Sequence, residues 1–398
     1  MSDPPPPARE LAIPDACPGV LRLHAAADGH LARVRLPAGR LDAPGLWALA
    51  EAASLGSDIV ELTSRAGLQV RGLAREGGDA LAGVLARGGL LPSVAHDRVR
   101  NILAAPLAGR GPGALADVDP IVEELDRALC AEVSLTELSG RFAFAIDDGT
   151  GGLEPIRADI ALVAERDQFR LRLGGLATSL LVAPACAPDA ALRVARAFLT
   201  LRAEDADGAW RVRELPGGAP RLAEHLGLAL VDRPVASAAR KGRGLGLRLQ
   251  RDGLLAAAVL PPLARLGRAQ LAGLAELAST LDTSVRVSPW RTLTFVDVSA
   301  SAAVGLLDDL QSMGLVVSDS SGWAGLSACA GLGACARART DVRAAAARRA
   351  TVRTQDSPAE HWSGCERRCG EPADAGVRVV AHEHGLVVTR GSGEVVSA

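Results

Sequence analysis

The chain has 398 residues, of which 48% are hydrophobic and 23% are charged, and its formal net charge is −2. This length exceeds one ordinary domain core and predicts two to four units. A nearly neutral chain has no overall field for nucleic acid or an anionic membrane, so neither is an expected partner. No apolar stretch reaches the roughly 20 residues that a membrane helix needs.

Residues 1–16 are predicted to form a disordered tail, because they begin with the Pro-rich string MSDPPPPARE. This tail lacks the apolar core of a signal peptide, which favours a cytoplasmic location.

An internal repeat follows. The segments GHLARVRLPAGR, from Gly29, and GLLAAAVLPPLAR, from Gly253, both read as a strand that ends in Leu-Pro. A helical pattern and two alternating strands come next in each copy, at a nearly constant offset along the chain, and a second helical pattern closes each copy. We therefore predict two α+β half-domains, at 17–92 and 240–317, related by a pseudo-two-fold axis.

Two further units are predicted outside the repeat. Residues 93–232 contain strand-like segments from Gly140 and Gln168 and a helix-like segment from Asp189, and a linker follows. Residues 318–398 form a shorter unit that ends in a predicted strand pair, GVRVVAHEHGLVVTR.

Four of the seven cysteines lie in this last unit, as a C-x5-C pair followed downstream by a C-x3-C pair: Cys329, Cys335, Cys365 and Cys369. Four thiolates are the ligand set of a [4Fe–4S] cluster, and the surrounding glycines allow close backbone approach. A structural zinc site, two disulfides and four unrelated thiols are the alternatives. Zinc ligand pairs are more often two to four residues apart, and disulfides are rare in the cytoplasm.

The repeat, the cysteine spacing and the string SGCERRCG together resemble the nitrite/sulfite reductase family over nearly the whole chain after the tail. The resemblance implies duplicated ferredoxin-like half-domains plus two α/β domains, the second one shortened. It also implies that the four cysteines hold a [4Fe–4S] cluster. In the family the last of them, here Cys369, bridges the cluster to the iron of a sirohaem.

The family's basic active-site residues are matched motif by motif. LARVRLPAGR, LTSRAGLQVRG, VRNILAAPLAG and LSGRFAFAIDD resemble its four segments, which implies active-site arginines at Arg33, Arg65, Arg100 and Arg141. In the last segment sulfite reductases carry two lysines one residue apart, whereas this chain has Arg141 and Ala143. A second cation would stabilise charge that develops on a reduced oxyanion, and alanine cannot do this.

That departure, the short C-terminal unit and the segments SVRVSPWRTLTF and HWSGCERRCG resemble a side branch, the precorrin-3B synthases of aerobic cobalamin biosynthesis. The resemblance implies an O2-dependent monooxygenase that hydroxylates precorrin-3A with lactone formation. It also implies an electron donor such as NADH acting through a reductase. A sirohaem-dependent sulfite or nitrite reductase and a non-catalytic binding or electron-transfer protein are the alternatives.

Further residues are weaker candidates. Arg286, Arg291 and Trp290 could line the pocket. The branch is associated with a mononuclear non-haem iron, for which His382, Glu383 and His384 are candidate ligands. His382 and His384 are expected on one face of a strand, and His361 is another candidate. Because the repeat supplies both halves of the pseudo-symmetric unit, a monomer is expected.

Overall fold

The computed structural model describes residues 15, 17–153, 156–205, 208–234, 244–391 and 394–397. The predicted tail lies outside the described residues except for Asp15, and so does most of the predicted linker. Among the described residues, no helix is long and apolar enough to cross a membrane.

The first repeat has five strands and two helices. These are β1 (His24–Ala26), β2 (Gly29–Val34), β3 (Arg40–Leu41), α1 (Ala43–Ser54), β4 (Ile59–Leu62), β5 (Leu68–Leu73) and α2 (Gly78–Arg87). Helix α1 begins where the carboxylate of Asp42 accepts the N–H of Gly45 at 2.9 Å, which satisfies one of the free donors of the first turn.

The middle unit is a six-stranded sheet covered by helices. Its elements are β6 (Ile102–Leu103), α3 (Asp119–Ala131), β7 (Phe144–Asp147), β8 (Ile160–Glu165), β9 (Gln168–Leu173), β10 (Leu176–Val182), α4 (Ala187–Glu204), α5 (Gly218–His225) and β11 (Leu230–Val231). Strands β6, β7 and β8 run parallel, and β8 to β11 continue the sheet antiparallel. The strand predicted from Gly140 begins only at Phe144, so residues 140–143 form a loop.

The second repeat has the element order of the first. It comprises β12 (Gly246–Leu249), β13 (Leu255–Val259), β14 (Arg265–Gly267), α6 (Arg268–Thr280), β15 (Val285–Val287), β16 (Leu293–Val298) and α7 (Ala300–Ser312). The backbone repeats as well as the element order. Ala38 and Leu263, which occupy matching positions, have positive φ angles of 51° and 54°.

The C-terminal unit is smaller. It contains β17 (Leu326–Ala328), α8 (Val342–Ala350), β18 (Glu360–Ser363), β19 (Val377–His382), β20 (Gly385–Arg390) and β21 (Glu394–Ser397). Its first three strands are parallel and its last three antiparallel, as in the middle unit. Helix α8 is the one described helix here.

The two repeats exchange a strand. Strand β14 of the second repeat pairs with β4 in the sheet β1-β2-β5-β4-β14, and β3 of the first pairs with β15 in the sheet β12-β13-β16-β15-β3. Helices α1 and α6 pack together, and one apolar core draws residues from both repeats. The predicted α+β fold, with duplicated ferredoxin-like halves, a pseudo-two-fold axis and a shortened second α/β unit, is confirmed. The predicted unit boundaries at 92/93 and 317/318 stay predictions.

The strand exchange gives a matched test at Gly39 and its repeat partner Ala264. Gly39 has φ of +66°, and a Cβ atom there would lie 1.9 Å from the carbonyl oxygen of Val287 on the exchanged partner strand. We expect Gly39→Ala to lower the free energy of unfolding by about 3 kcal/mol or more in denaturant titration. Ala264→Gly, at φ of +62°, should change it by less than about 1 kcal/mol. Equal losses for both variants would contradict this account.

Candidate functional site

The carbonyl oxygen of Gly140 gathers side chains from three elements. It accepts hydrogen bonds from Arg35 Nη2, Arg65 Nη1 and Asn101 Nδ2, each at 3.0 Å. The loop is fixed in turn, because the N–H of Gly140 donates to the Asp15 carboxylate at 2.7 Å. Two arginines of the first repeat therefore converge on the loop that precedes β7.

The arginine side chains of this site repel one another. Burial, together with the charges of Arg65 and Arg33, lowers the pKa of Arg35 to about 9. Burial lowers the pKa of Arg65 as well, followed by the charges of Arg211, Arg33 and Arg141. A guanidinium keeps its proton at neutral pH, so these directions describe the cost of burying a charge and, after it, repulsion among the cations. A bound anion would relieve that repulsion.

Arg33 and Arg35 also have donors without partners. The Nε atom of each is buried and forms no hydrogen bond with any part of the chain that the structure describes. A buried unsatisfied donor costs roughly 1–3 kcal/mol, so both atoms favour a ligand acceptor. We call Arg33, Arg35, Arg65 and Arg141 the arginine group.

The structure brings together three of the four predicted arginines, Arg33, Arg65 and Arg141. Arg100 lies elsewhere, because its Nε and Nη2 atoms bind both oxygens of Asp126 at 2.7 and 2.6 Å. Its neighbour Asn101 joins the Gly140 carbonyl instead.

Arg100 and Arg286 line a cavity of about 200 Å³ that Arg35 also borders. Each is already paired with a carboxylate, since Arg286 Nη2 binds Asp119 at 2.6 Å. The ion pairs of Arg100 and Arg286 and the small volume make this cavity unsuited to a large polyanion.

Sequence reasoning missed Arg35 and Arg211. Arg35 could have been found, because alternation along a strand points residues 33 and 35 to the same side. No sequence motif pointed to Arg211. It is positioned by a buried ion pair, at 2.6 Å, with Asp159, a residue that is distant in the sequence.

The two cysteine pairs lie in loops at one sheet edge. Cys329 directly follows β17 and Cys365 comes two residues after β18, and these are neighbouring parallel strands. The N–H of Gly364 donates to Cys329 Sγ at 3.1 Å, and the N–H of Cys329 donates to the Trp362 carbonyl at 2.9 Å. The loops are thus joined to each other by hydrogen bonds.

The four thiols lie within electrostatic reach of one another. Desolvation raises the pKa of Cys369, although the residue as a whole is exposed, and the charges of Cys329, Cys365 and Cys335 raise it further. Four thiolates that repel each other, with an N–H···S bond at one sulfur, fit the ligand set of a [4Fe–4S] cluster. In the described ranges, no three His, Cys, Asp or Glu side chains are grouped as a single metal ion requires.

An arginine from each repeat holds a cysteine loop. Arg71 Nη2 donates to the carbonyl of Ala334, next to Cys335, and Arg291 Nη2 donates to that of Gly370, next to Cys369, both at 2.7 Å. Arg291 therefore contacts the cysteine unit. The cysteine loops are fixed to both halves of the duplicated frame.

The predicted iron ligands are not gathered. His382 ends β19 and pairs with Gly385, so Glu383 and His384 form the hairpin turn, and the expectation that both histidines share one strand face is wrong. A two-residue turn reverses the chain immediately after His382. Nδ1 of His382 lies 2.9 Å from the Glu366 carboxylate.

His361 is buried beneath the cysteine loops. Its Nδ1 lies 2.8 Å from Ser327 Oγ, and burial, followed by the charge of Arg291, lowers its pKa to about 4. Its imidazole is therefore neutral at physiological pH.

Arg35 and Arg100 give a matched pair of variants. Arg35→Gln should leave the free energy of unfolding unchanged or raise it, because it removes a repelled buried charge. Arg100→Gln should lower it by about 2 kcal/mol, because it leaves the half-buried Asp126 carboxylate unpaired. Denaturant titration checks both, and a larger loss for Arg35→Gln would contradict the charge account.

Gly364 tests the cysteine site. A Cβ atom there would lie 2.8 Å from the Cβ of Ala338, so Gly364→Ala should push the two cysteine loops apart. We expect bound iron and acid-labile sulfide to fall at least severalfold in anaerobically purified protein. Gly305→Ala is the control, since its Cβ would meet nothing within 4 Å. Full iron content in Gly364→Ala would argue against this site.

Comparison with known proteins agrees with these observations. The family model described as the nitrite/sulfite reductase ferredoxin-like half domain matches residues 24–86. A curated relative from Sinorhizobium named precorrin-3B synthase is 35% identical over 169 residues, which span 41% of this chain and 36% of that protein. A ferredoxin–nitrite reductase from Synechococcus elongatus is 28% identical over 389 residues, or 87% of this chain and 75% of that protein.

Among solved structures, the NirA protein of Mycobacterium tuberculosis superposes with a TM-score of 0.75 at 21% identity, over 93% of this chain and 76% of that one. This likeness shows the fold. The chain thus contains a segment that matches the nitrite/sulfite reductase ferredoxin-like half domain, and it is similar to both relatives, although its match spans only 36% of the precorrin-3B synthase.

Proposed function

We propose that this chain is a precorrin-3B synthase, which hydroxylates precorrin-3A with lactone formation in aerobic cobalamin biosynthesis. The observation that carries the proposal is the composition of the arginine group. It offers several unneutralised cations for a polycarboxylate, while Ala143 stands where a reductase of small oxyanions has a second cation. The partial match to the Sinorhizobium enzyme supports the same branch.

The substrate's carboxylates account for the cations. Precorrins carry eight acidic side chains, and guanidinium groups bind carboxylates through paired N–H donors. Arg33 and Arg35 have buried Nε atoms without acceptors among the described residues, and the charge of Arg35 is repelled by its neighbours. A bound carboxylate would satisfy those donors and offset the repulsion. The arginine group would thereby orient the macrocycle.

The four cysteine side chains, Cys329, Cys335, Cys365 and Cys369, would hold a [4Fe–4S] cluster. Such a cluster supplies single electrons to a reaction. Arg71 and Arg291 would fix its loops to the two repeats through the carbonyls of Ala334 and Gly370. A mononuclear iron is left out of the proposal, because its offered ligands are not gathered.

The overall reaction balances with an external donor. One atom of O2 enters the product, and the other leaves as water after taking up two electrons and two protons. NADH acting through a reductase is the proposed source of the electrons. We also propose a cytoplasmic monomer without nucleic acid or membrane partners.

The second candidate is a sirohaem-dependent nitrite or sulfite reductase. The match to the nitrite reductase favours it, because that match spans more of this chain than the other does. This candidate predicts sirohaem absorption bands in the purified protein and reduction of nitrite or sulfite by reduced methyl viologen. Arg141 would then act without a second cation at Ala143.

The deciding experiment follows the oxygen atom. Anaerobically purified protein with its cluster is incubated with precorrin-3A and a reductant, exposed to ¹⁸O₂, and the product is analysed by mass spectrometry. We expect a mass gain of one ¹⁸O atom. Arg35→Gln should reduce the yield at least tenfold, while Arg100→Gln, at a temperature where it is folded, should retain most of it. Unlabelled product together with viologen-driven nitrite reduction would favour the reductase.

A further inference from the structure

Trp210 lies directly against one member of the arginine group. The guanidinium carbon of Arg141 sits 4.5 Å from the centre of the Trp210 ring, which is the geometry of a cation–π contact. Arg141 is exposed, and no carboxylate of a described residue forms an ion pair with it. Its position is thus set by an aromatic face that leaves its N–H edge available.

The buried carboxylate of Asp159 links the segment that contains Trp210 to Ala143. Asp159 accepts the N–H of Ala143 and that of Val212, both at 2.9 Å, and pairs with Arg211 at 2.6 Å. The segment that carries Trp210 is therefore fastened to the loop where the family's second cation is missing. Arg211 does not replace that cation, because Asp159 neutralises it.

The indole N–H of Trp210 is a hydrogen-bond donor that the described residues leave unsatisfied. Its Nε1 atom is buried and has no hydrogen-bond partner among the residues the structure describes. Leaving such a donor unsatisfied costs roughly 1–3 kcal/mol, so an acceptor is expected in some functional state. The neighbouring group is the Arg141 guanidinium, and a carboxylate is the acceptor that suits an N–H donor beside a cation.

We propose that Trp210 and Arg141 together bind one side-chain carboxylate of the tetrapyrrole, and that Trp210 is a specificity-determining residue of the pocket. This inference rests on the proposed function. The pair supplies one cation and one neutral donor at the place where a reductase supplies two cations. Such a pair suits a permanent carboxylate better than an oxyanion that gains charge during its reduction.

The test compares two conservative changes. Trp210→Phe keeps an aromatic ring beneath Arg141 but removes the N–H, and Trp210→Leu removes both features. Affinity for precorrin-3A is measured anaerobically by quenching of protein fluorescence. Trp210→Phe should weaken binding roughly tenfold and Trp210→Leu further. Trp47→Phe is the matched control, because Trp47 lies exposed on α1, and it should change nothing.

Thermal unfolding supplies the second measurement. If the N–H serves the ligand, Trp210→Phe leaves the melting temperature of the unliganded protein unchanged or raises it. A variant that binds like the wild type and melts lower would show a structural indole, and the inference would fall while the proposed function stood. Wild-type protein that does not bind precorrin-3A would overturn both.

Discussion

The exchange of β3 and β14 between the repeats is the constraint on which the rest of the architecture depends. At one crossing Arg265 faces Glu61, a favourable opposite-charge pair across the strands. At the other, Arg40 faces Arg286, so two cations oppose each other. The repeat makes these crossings equivalent in backbone, and the sequence makes them different in charge. A pseudo-symmetric frame therefore presents two chemically distinct surfaces.

Each α/β unit brings charged side chains to one of these crossings. Helix α3 of the middle unit brings Asp119 to Arg286 and Glu123 to Arg40, which neutralises the like-charged crossing. Helix α8 of the C-terminal unit brings Arg343 to Glu61 at the other crossing. The first of these contacts compensates two cations, whereas the second adds a cation beside a pair that is already matched and, after burial, lowers the pKa of Arg265. The Gly140 loop and the cysteine loops are carried by these same units, so the crossings help to set where both parts of the site lie.

The sequence predicted those features of the fold and the site that depend on residues close together in the chain. The repeat order and the cysteine spacing are local patterns, and the duplicated fold was confirmed from them. The motif match also indicated Arg33 and Arg65, whereas Arg100 forms an ion pair with Asp126 of helix α3 instead. Trp210 joins the site through a long-range contact that no local pattern contains. Ion pairs between residues that are distant in sequence decide which arginines are neutralised, and a single sequence does not reveal those pairs.

The arginine group also shows how the duplicated halves diverged. The positions of the second repeat that are equivalent to Arg33, Arg35 and Arg65 hold Ala258, Leu260 and Trp290. A buried, repelled cation weakens a fold, and the second repeat shows that the backbone does not require these arginines. The chain matches most buried arginines elsewhere with carboxylates, as at Asp126, Asp119 and Asp159. Among the described residues, the arginine group lacks such carboxylate partners, which supports the proposal of a polycarboxylate ligand.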